Sequence, residues 1–368
     1  MSFESVYGFT VEHVAGTTTQ LSSVQTLNIT QGRANLSDSY RSAVMRITGR
    51  DPDDLPSIKV GDQIKVTLTA FDDGTPVTLD PWESIRIGRV ADIQIDYGVI
   101  PAMDTWTITT EDAMAVLGRA VVDLTVTAGT SASAAASQIT TAAGVTMTVA
   151  AGASSTTVKT TVFDSANALD AFQIYANTEM AFVVQQGDEL LWIPRQGWTY
   201  TGSAVTFSDV LPLDPSYLQF QSLSVGNVAD TVAQEVVVSI RDGNTISTGA
   251  GTTYLDIQTY DGSDSQALDL GNYVKALFTN DEPVPFQLGY MLTGQDPTLV
   301  FQALATELRQ VDVEYRGNTT TAIVMGFSIS ITPDIARASL NLLDIDQIPL
   351  FQLDIPSNGV LDQNVLGY

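Results

Sequence analysis

The sequence predicts a mainly β protein with an α+β insertion, in which two barrel- or sandwich-like β domains flank a smaller α+β piece. Three observations carry this. Short apolar–polar alternations recur up to residue 111 and again from residue 216 onward. Between them the chain turns rich in Ala, Ser, Thr and Gly. One stretch is also echoed. Leu27 and Ile29 alternate with Asn28 and Thr30, a turn-rich loop with Gly32, Asn35 and Asp38 follows, and Val44 to Thr48 resume the alternation. Further on, Leu223 and Val225 stand where Leu27 and Ile29 stood, followed by a polar loop, Val236 to Ile240 and Arg241-Asp242-Gly243. Two readings stand: a duplicated β unit, or two amphipathic hairpins alike by chance. With 368 residues the chain exceeds one ordinary core. The expected division is a tube-like β-barrel domain over 1–126, an α+β domain over 127–212, a second tube-like barrel domain over 213–345 and a docking tail over 346–368.

In chain order, Phe3, Val6, Phe9 and Val11 mark a first strand, and His13 reads as a surface or edge-strand residue of it. The hairpin of residues 27–48 follows. Asp51-Pro52-Asp53-Asp54-Leu55-Pro56 is a turn. Ile64, Val66 and Leu68 alternate in the next strand, and Asp72-Asp73-Gly74 signals a hairpin. Residues 85–97 give a strand, and Trp106 to Glu111 lead from a strand into a helix over 112–117. So many strands in the first third of the chain predict a small barrel or sandwich. In the middle piece Ser131 is the expected cap of a helix ended by Gly144. Asp164 is the expected cap of a second, with Ala168, Leu169, Phe172, Ile174 and Tyr175 on its apolar face. Residues 182–193 read as a hairpin. Beyond the echo, residues 243–253 read as a mobile loop, and Asp296-Pro297 open a helix through Arg309. Strands end the series at 311–315, 322–331 and 338–342. The tail has no regular period but carries Phe351, Leu353, Val360, Leu361, Leu366 and Tyr368, so it is expected to dock on its own body or on a neighbour.

Composition excludes much. There is no cysteine, hence no disulfide framework, thiolate nucleophile or Cys-type metal site, and His13 is the sole histidine. No G-x-S-x-G elbow, P-loop or G-x-G-x-x-G motif occurs. Asp72, Asp73 and Asp80, or Asp261, Asp264 and Asp269, could offer oxygen ligands to calcium, but neither set has EF-hand spacing. Trp82, Trp106, Trp192 and Trp198 are scattered singly, as core or rim residues are. No catalytic, cofactor-binding or metal site is expected. No apolar run is long enough to span a membrane, and the N-terminus has no basic region ahead of an apolar stretch. The net charge of −26 repels phosphate, so sequence-specific DNA binding is not expected. That charge serves solubility, or a surface past which DNA slides.

The order of parts resembles the minor tail proteins that form the baseplate or tail-tip hub of long-tailed bacteriophages, in particular those of GC-rich actinobacteria. LNITQGRANLSDSYRSAVMRITGRD, then VGDQIKVTL and IRIGRVADIQIDY, is similar to the family's opening unit. WTITTEDAMAVLGRA is similar to the strand and helix that close it. DSANALDAFQIYANTEMAFV with QQGDELLWIP matches the helix and hairpin after the first barrel, and FQLDIPSNGVLDQNVLGY matches the family's ending. One departure is that IARASLNLLDI lacks the tryptophan expected near the end. The resemblance implies a structural virion protein, not an enzyme, without cofactors. It implies a homotrimeric hub in which three subunits present six tube-like barrels to a sixfold tube, closing the tail and letting DNA pass during ejection. The implied partners are the tail tube or distal tail protein, the tape measure protein and other tail-tip proteins. Phe351, Leu353, Leu361, Leu366 and Tyr368 are the suspected intersubunit docking residues. Acidic side chains are expected to line the bore. The alternatives are a distal tail protein in a hexameric ring, a carbohydrate-binding or carbohydrate-cleaving tail protein acting on the host wall, and a secreted β protein.

Overall fold

The computed structural model describes residues 6–33, 42–55, 57–72, 75–79, 85–150, 156–186, 189–195, 205–210, 216–226, 234–251, 254–277, 283–304 and 310–344. The chain opens with β1 (Val6–Ala15) and β2 (Thr17–Gln20), turned at Gly16 with φ +76°. Next come β3 (Val24–Gly32), β4 (Val44–Arg50), β5 (Gln63–Asp72), β6 (Thr75–Pro76), β7 (Ile85–Asp96) and β8 (Thr105–Glu111). Their order in the sheet is β3-β4-β8-β7-β5-β1-β2. The predicted alternation decides which side faces inward: Leu27, Ile29, Met45, Ile47, Ile64 and Val66 are buried, and Asn28, Thr30, Val44 and Arg46 are exposed. His13 is buried between β2 and β5, not at the surface. Its Nε2 lies 2.9 Å from Asp62 Oδ2, and that carboxylate also accepts from Lys59 N at 2.8 Å. The histidine thus holds the turn that enters β5.

The middle piece packs around a core of its own. It comprises α1 (Ala113–Arg119), β9 (Val121–Val126), α2 (Ala132–Ala142), β10 (Thr146–Val149), β11 (Thr161–Asn167), α3 (Ala168–Glu179), β12 (Phe182–Gln186) and β13 (Glu189–Ile193). Leu117, Ile139, Phe172, Tyr175 and Trp192 meet in this core, with the Phe172 and Trp192 rings edge to face at 5.7 Å. Ser131 caps α2 as expected, by accepting from Ala134 N. Asp164 does not cap α3. Pairing with β9 keeps the chain extended through Asn167, whose side chain accepts from Leu169 N and Asp170 N instead.

The remaining elements are β14 (Val205–Ser208), β15 (Tyr217–Gln219), β16 (Ser222–Gly226), β17 (Glu235–Ile240), β18 (Thr245–Gly249), β19 (Tyr254–Thr259), α4 (Asp264–Leu277), β20 (Val284–Met291), α5 (Pro297–Ala303), β21 (Gln310–Tyr315), β22 (Asn318–Ile331) and β23 (Ala336–Asp344). Asp296 caps α5 with Pro297 in its first turn, as expected, and the helix ends at Ala303; residues 305–309 lie outside the described set. Residues 245–249, expected in a loop, form β18, which pairs along β17.

These strands repeat the first unit in a way the sequence echo only half captured. The first unit pairs β3 with β4, β4 with β8, β8 with β7 and β7 with β5. The second pairs β16 with β20, β20 with β23, β23 with β22 and β22 with β21, and every pair in both is antiparallel. Register agrees as well as order. Leu27, Ile47, Ile108 and Ile93 stand opposite one another in turn across β3, β4, β8 and β7. Leu223, Leu288, Leu340 and Phe327 do so across β16, β20, β23 and β22. The bulge of β7 at Ala91 recurs in β22 at Met325. Leu223 therefore matches Leu27, as the sequence suggested. Residues 236–240 do not match β4. They form β17, in a separate three-stranded sheet with β18 and β19 covered by α4, inserted where the first unit has only the connection from β3 to β4. The true counterpart of β4 is β20.

The two units are fused by antiparallel pairing of β3 with β22, from Gly32 opposite Gly326 to Leu27 opposite Ile331. Side chains of both enter one hydrophobic core. A Cβ at Gly32 or Gly326 would collide with the other strand's backbone, so the close approach needs glycine on both sides.

The missing tryptophan has a structural answer. Gly49 stands opposite Trp106 in the first unit; the equivalent pair in the second is Tyr290 opposite Ala338. Each unit fills the same place with one large and one small residue, but from opposite strands. The Trp106 ring lies over Gly49, and its Nε1 donates to Arg50 O at 2.9 Å. Truncating Trp106 to Ala is expected to cost about 3–5 kcal/mol. Gly49→Ala, which drives a methyl into that ring, is expected to cost about 1–3 kcal/mol. Gly49→Tyr with Trp106→Ala copies the second unit and should lose less than the sum of its single changes. Denaturant unfolding reads all four variants; strict additivity would show that the positions do not pack as a pair.

Candidate functional site: the polar face of the shared sheet

Pairing of β3 with β22 makes one antiparallel run, β7-β8-β4-β3-β22-β23-β20-β16, shared by both units. Its two faces follow from the period of two. One carries the buried Leu, Ile and Phe rows. The other is mostly polar around the junction, with Val44 exposed on it and Ile323 and Leu343 at one end of β22 and β23 turned into a core of their own. Across the junction Thr30 faces Ser328 and Asn28 faces Ser330. Further along, Ser328 faces Ser339, Gln287 faces Asn341 and Ser224 faces Gln287. On the other side Asn28 faces Arg46, Thr48 faces Thr107, and Thr107 faces Gln94. This face is hollowed around the junction by about 560 Å³, lined by Asn28, Thr30, Ser222, Ser224, Ser328 and Ser330 among others. Short uncharged side chains dominate it. Its charges are of both signs: Arg46, Arg50, Arg89 and Arg337 against Asp92, Asp96 and Glu111. Acidic groups are not concentrated on this face among the described residues.

No group of His, Asp or Glu able to hold a metal ion exists among the described residues. Asp264 starts α4 and accepts from Asn244 Nδ2 at 2.8 Å, Asp269 is exposed on the same helix, and Asp261 is buried, so the three do not converge. Asp73 and Asp80 lie outside the described residues. So do the suspected docking residues Phe351, Leu353, Leu361, Leu366 and Tyr368, and Trp82 and Trp198. Trp106 and Trp192 are fully buried core residues. No helix among the described residues is long and apolar enough to cross a membrane.

Two carboxyls are buried at connections between parts, in roles that the sequence reading did not assign to them. Asp112 caps α1 through Met114 N and also accepts from Ser42 Oγ and Ala43 N, each at 2.9 Å, which ties β4 to the helix. Burial pushes its pKa up to about 6, outweighing those hydrogen bonds. Asp261 lies where the β17–β19 insertion meets the middle piece, in a bridge with Val158. Burial pushes it up to about 6, against the pull of Thr259 and Arg195 and with a further push from Glu179.

Comparison with solved structures gives the fold a class. The chain is similar to the 43 kDa tail protein of prophage MuSo2 from Shewanella oneidensis, with a TM-score of 0.59 and 12% identity over 92% of this chain and 98% of that one. It is similar to a tail protein from Neisseria meningitidis MC58, with a TM-score of 0.63 and 11% identity over 93% and 97%. A third likeness is to the prophage tail protein gp18 of Listeria monocytogenes, with a TM-score of 0.53 and 9% identity over 90% and 94%. The chain thus has the fold of these phage tail proteins over nearly its whole length. No protein-family model matches the sequence, and no curated protein matches it.

The raised Asp261 pKa fixes the sign of a pH effect. The native carboxyl holds its proton above the ordinary 3.8, so its contribution is full below that pH and is lost as pH rises through about 6. Asp261→Asn removes the ionisation. Relative to the parent, the variant should gain stability between those pH values, by roughly 2–3 kcal/mol at most. Parallel urea titrations at acid and neutral pH measure the difference; a gap that does not change with pH would refute the assignment.

Proposed function

We propose that this chain is a structural protein of a phage tail tip and that three copies close into a hub ring. The observation that carries the reading is the register-matched duplication of the five-stranded unit within a phage tail protein fold. Three chains with two like units each present six similar surfaces, which lets a threefold assembly meet a sixfold tube. A distal tail protein that closes as a hexamer has no such need for a second unit in each chain. In this reading the polar face of the shared sheet lines the bore. Its Ser, Thr, Asn and Gln side chains, with few and balanced charges, offer phosphates no array of cations to bind, so DNA passes without a specific site. Its partners are the tail tube or distal tail protein above and other tail-tip proteins, including the tape measure protein, within and below. The role is mechanical rather than catalytic. The apolar tail, residues 346–368, docks on the adjacent copy.

Native mass measurement with negative-stain imaging of the purified chain tests this. A three-copy ring with a central hole and six lobes is expected; a six-copy ring with one lobe per chain would move the protein to the distal tail class. Deleting residues 346–368 should leave a folded monomer that no longer forms the ring, and an intact ring after deletion would place the tail on its own subunit.

A further inference from the structure

The duplicated unit has one junction inside the chain and the matching half-junctions unfilled at its two ends. Inside, β22 keeps β21 as neighbour along its first half. Beyond the Met325 bulge that side is taken by β3. Its counterpart β7 keeps β5 along its first half, through Arg89, and beyond the Ala91 bulge that side has no partner strand among the described residues. The counterpart of β3 is β16, which pairs only with β20 among the described residues and leaves its other edge open.

The side chains carry the same message. Ile329 and Ile331 on β22 are 2% and 5% exposed because β3 covers them. The equivalent positions are Ile95 near the end of β7 and Tyr97 just past it, again apolar, but 39% and 78% exposed. Ile29 on β3 is 1% exposed, and Val225, two residues beyond the matched leucine along β16 though past a register shift in its pairing with β20, is 39% exposed. Apolar residues that the internal junction buries are therefore present at both open edges and bare only there. Among the described residues an isolated chain leaves both edges without a partner, which soluble proteins avoid.

We propose that β16 of one copy adds to the outer half of β7 of a second copy, antiparallel and in the register of the β3–β22 junction. This rests on the ring reading above and specifies its contact. Transferring the internal register places Leu223 opposite Tyr97, Ser224 opposite Asp96 and Val225 opposite Ile95 of the adjoining copy. The contact is head to tail, so each copy offers one edge and receives the other, and repetition continues the sheet around the ring. The new junction is shorter than the internal one. Asp92 occupies the place of Gly326, so the close backbone approach made by the two glycines is not repeated, and pairing is confined to the end of β7.

The absence of native cysteine makes a direct test clean. The full chain carrying both Asp96→Cys and Ser224→Cys, oxidised mildly, should form a covalent ladder between copies that ends at a closed ring. An equal mixture of the two single variants should stop at dimers. Asp92→Cys with Ser224→Cys, four residues out of register, should give no ladder. Failure of the first pair to cross-link between copies, disulfide formation within one copy, or equal yield from the displaced pair would each overturn the proposed pairing. Native mass of the same samples separates the two readings. Three-copy rings without the cross-link would discard this interface and leave the ring standing, whereas uncross-linked monomers would discard both.

Discussion

The backbone ladder between β3 and β22 is the contact on which the rest of the molecule depends. It joins segments separated by most of the chain and turns two five-stranded units into one continuous sheet. It also merges the apolar sides of both into a common core, where Leu27 and Ile29 share surroundings with Phe327, Ile329 and Ile331. Each strand of such a run must give its backbone groups a partner on both sides, and only the last strand at each end is left without one. Where the internal pairing stops is therefore as informative as where it occurs.

The two units keep register while differing in nearly everything else. Trp106 over Gly49 and Tyr290 beside Ala338 fill equivalent space from opposite strands, which conserves volume without conserving residue. The short connection from β3 to β4 in one unit becomes the β17–β19 sheet and α4 in the other. That insertion does not float. Phe182, Val184, Ile323, Met325 and Leu343 join its own Val236, Val238, Leu270 and Val274 in a third core, so it braces the middle piece against the second unit. Gly271 lets α4 approach closely, since a Cβ there would press on Thr248 and Val238.

Among the described residues, acidic side chains are not concentrated on the shared polar face. Asp123, Asp164, Asp170, Asp256, Asp264 and Asp269 are exposed on the middle piece and the insertion, away from the run of Ser, Thr, Asn and Gln around the β3–β22 junction. The exposed carboxylates of the middle piece and the insertion and the nearly neutral polar face of the shared sheet thus lie on different parts of the chain. Solvated like charges of that kind oppose aggregation, and the mixed charges of the polar face produce no strong field of either sign.

Local periodicity determined by itself which residues face inward on β3, β4, β5 and β22, where the helices capped by Asp112, Ser131 and Asp296 begin, and that the middle piece is α+β. In each case the signal is carried by neighbours two to four residues apart. The chain also disclosed the match of Leu223 to Leu27, because both sit in the same short alternation. It could not disclose that the next strand of the repeat is β20, since an inserted sheet with its own alternating valines, Val236 and Val238, imitates the expected partner. It did not reveal α4: the sequence reading assigns no element to residues 264–277, and the helix emerges only where Ala267, Leu270 and Val274 are buried against the insertion sheet. The shared polar face, the displaced tryptophan and the open edges of β7 and β16 among the described residues exist only once strands far apart in sequence are paired. Register is a property of two segments together, and neither segment encodes it alone.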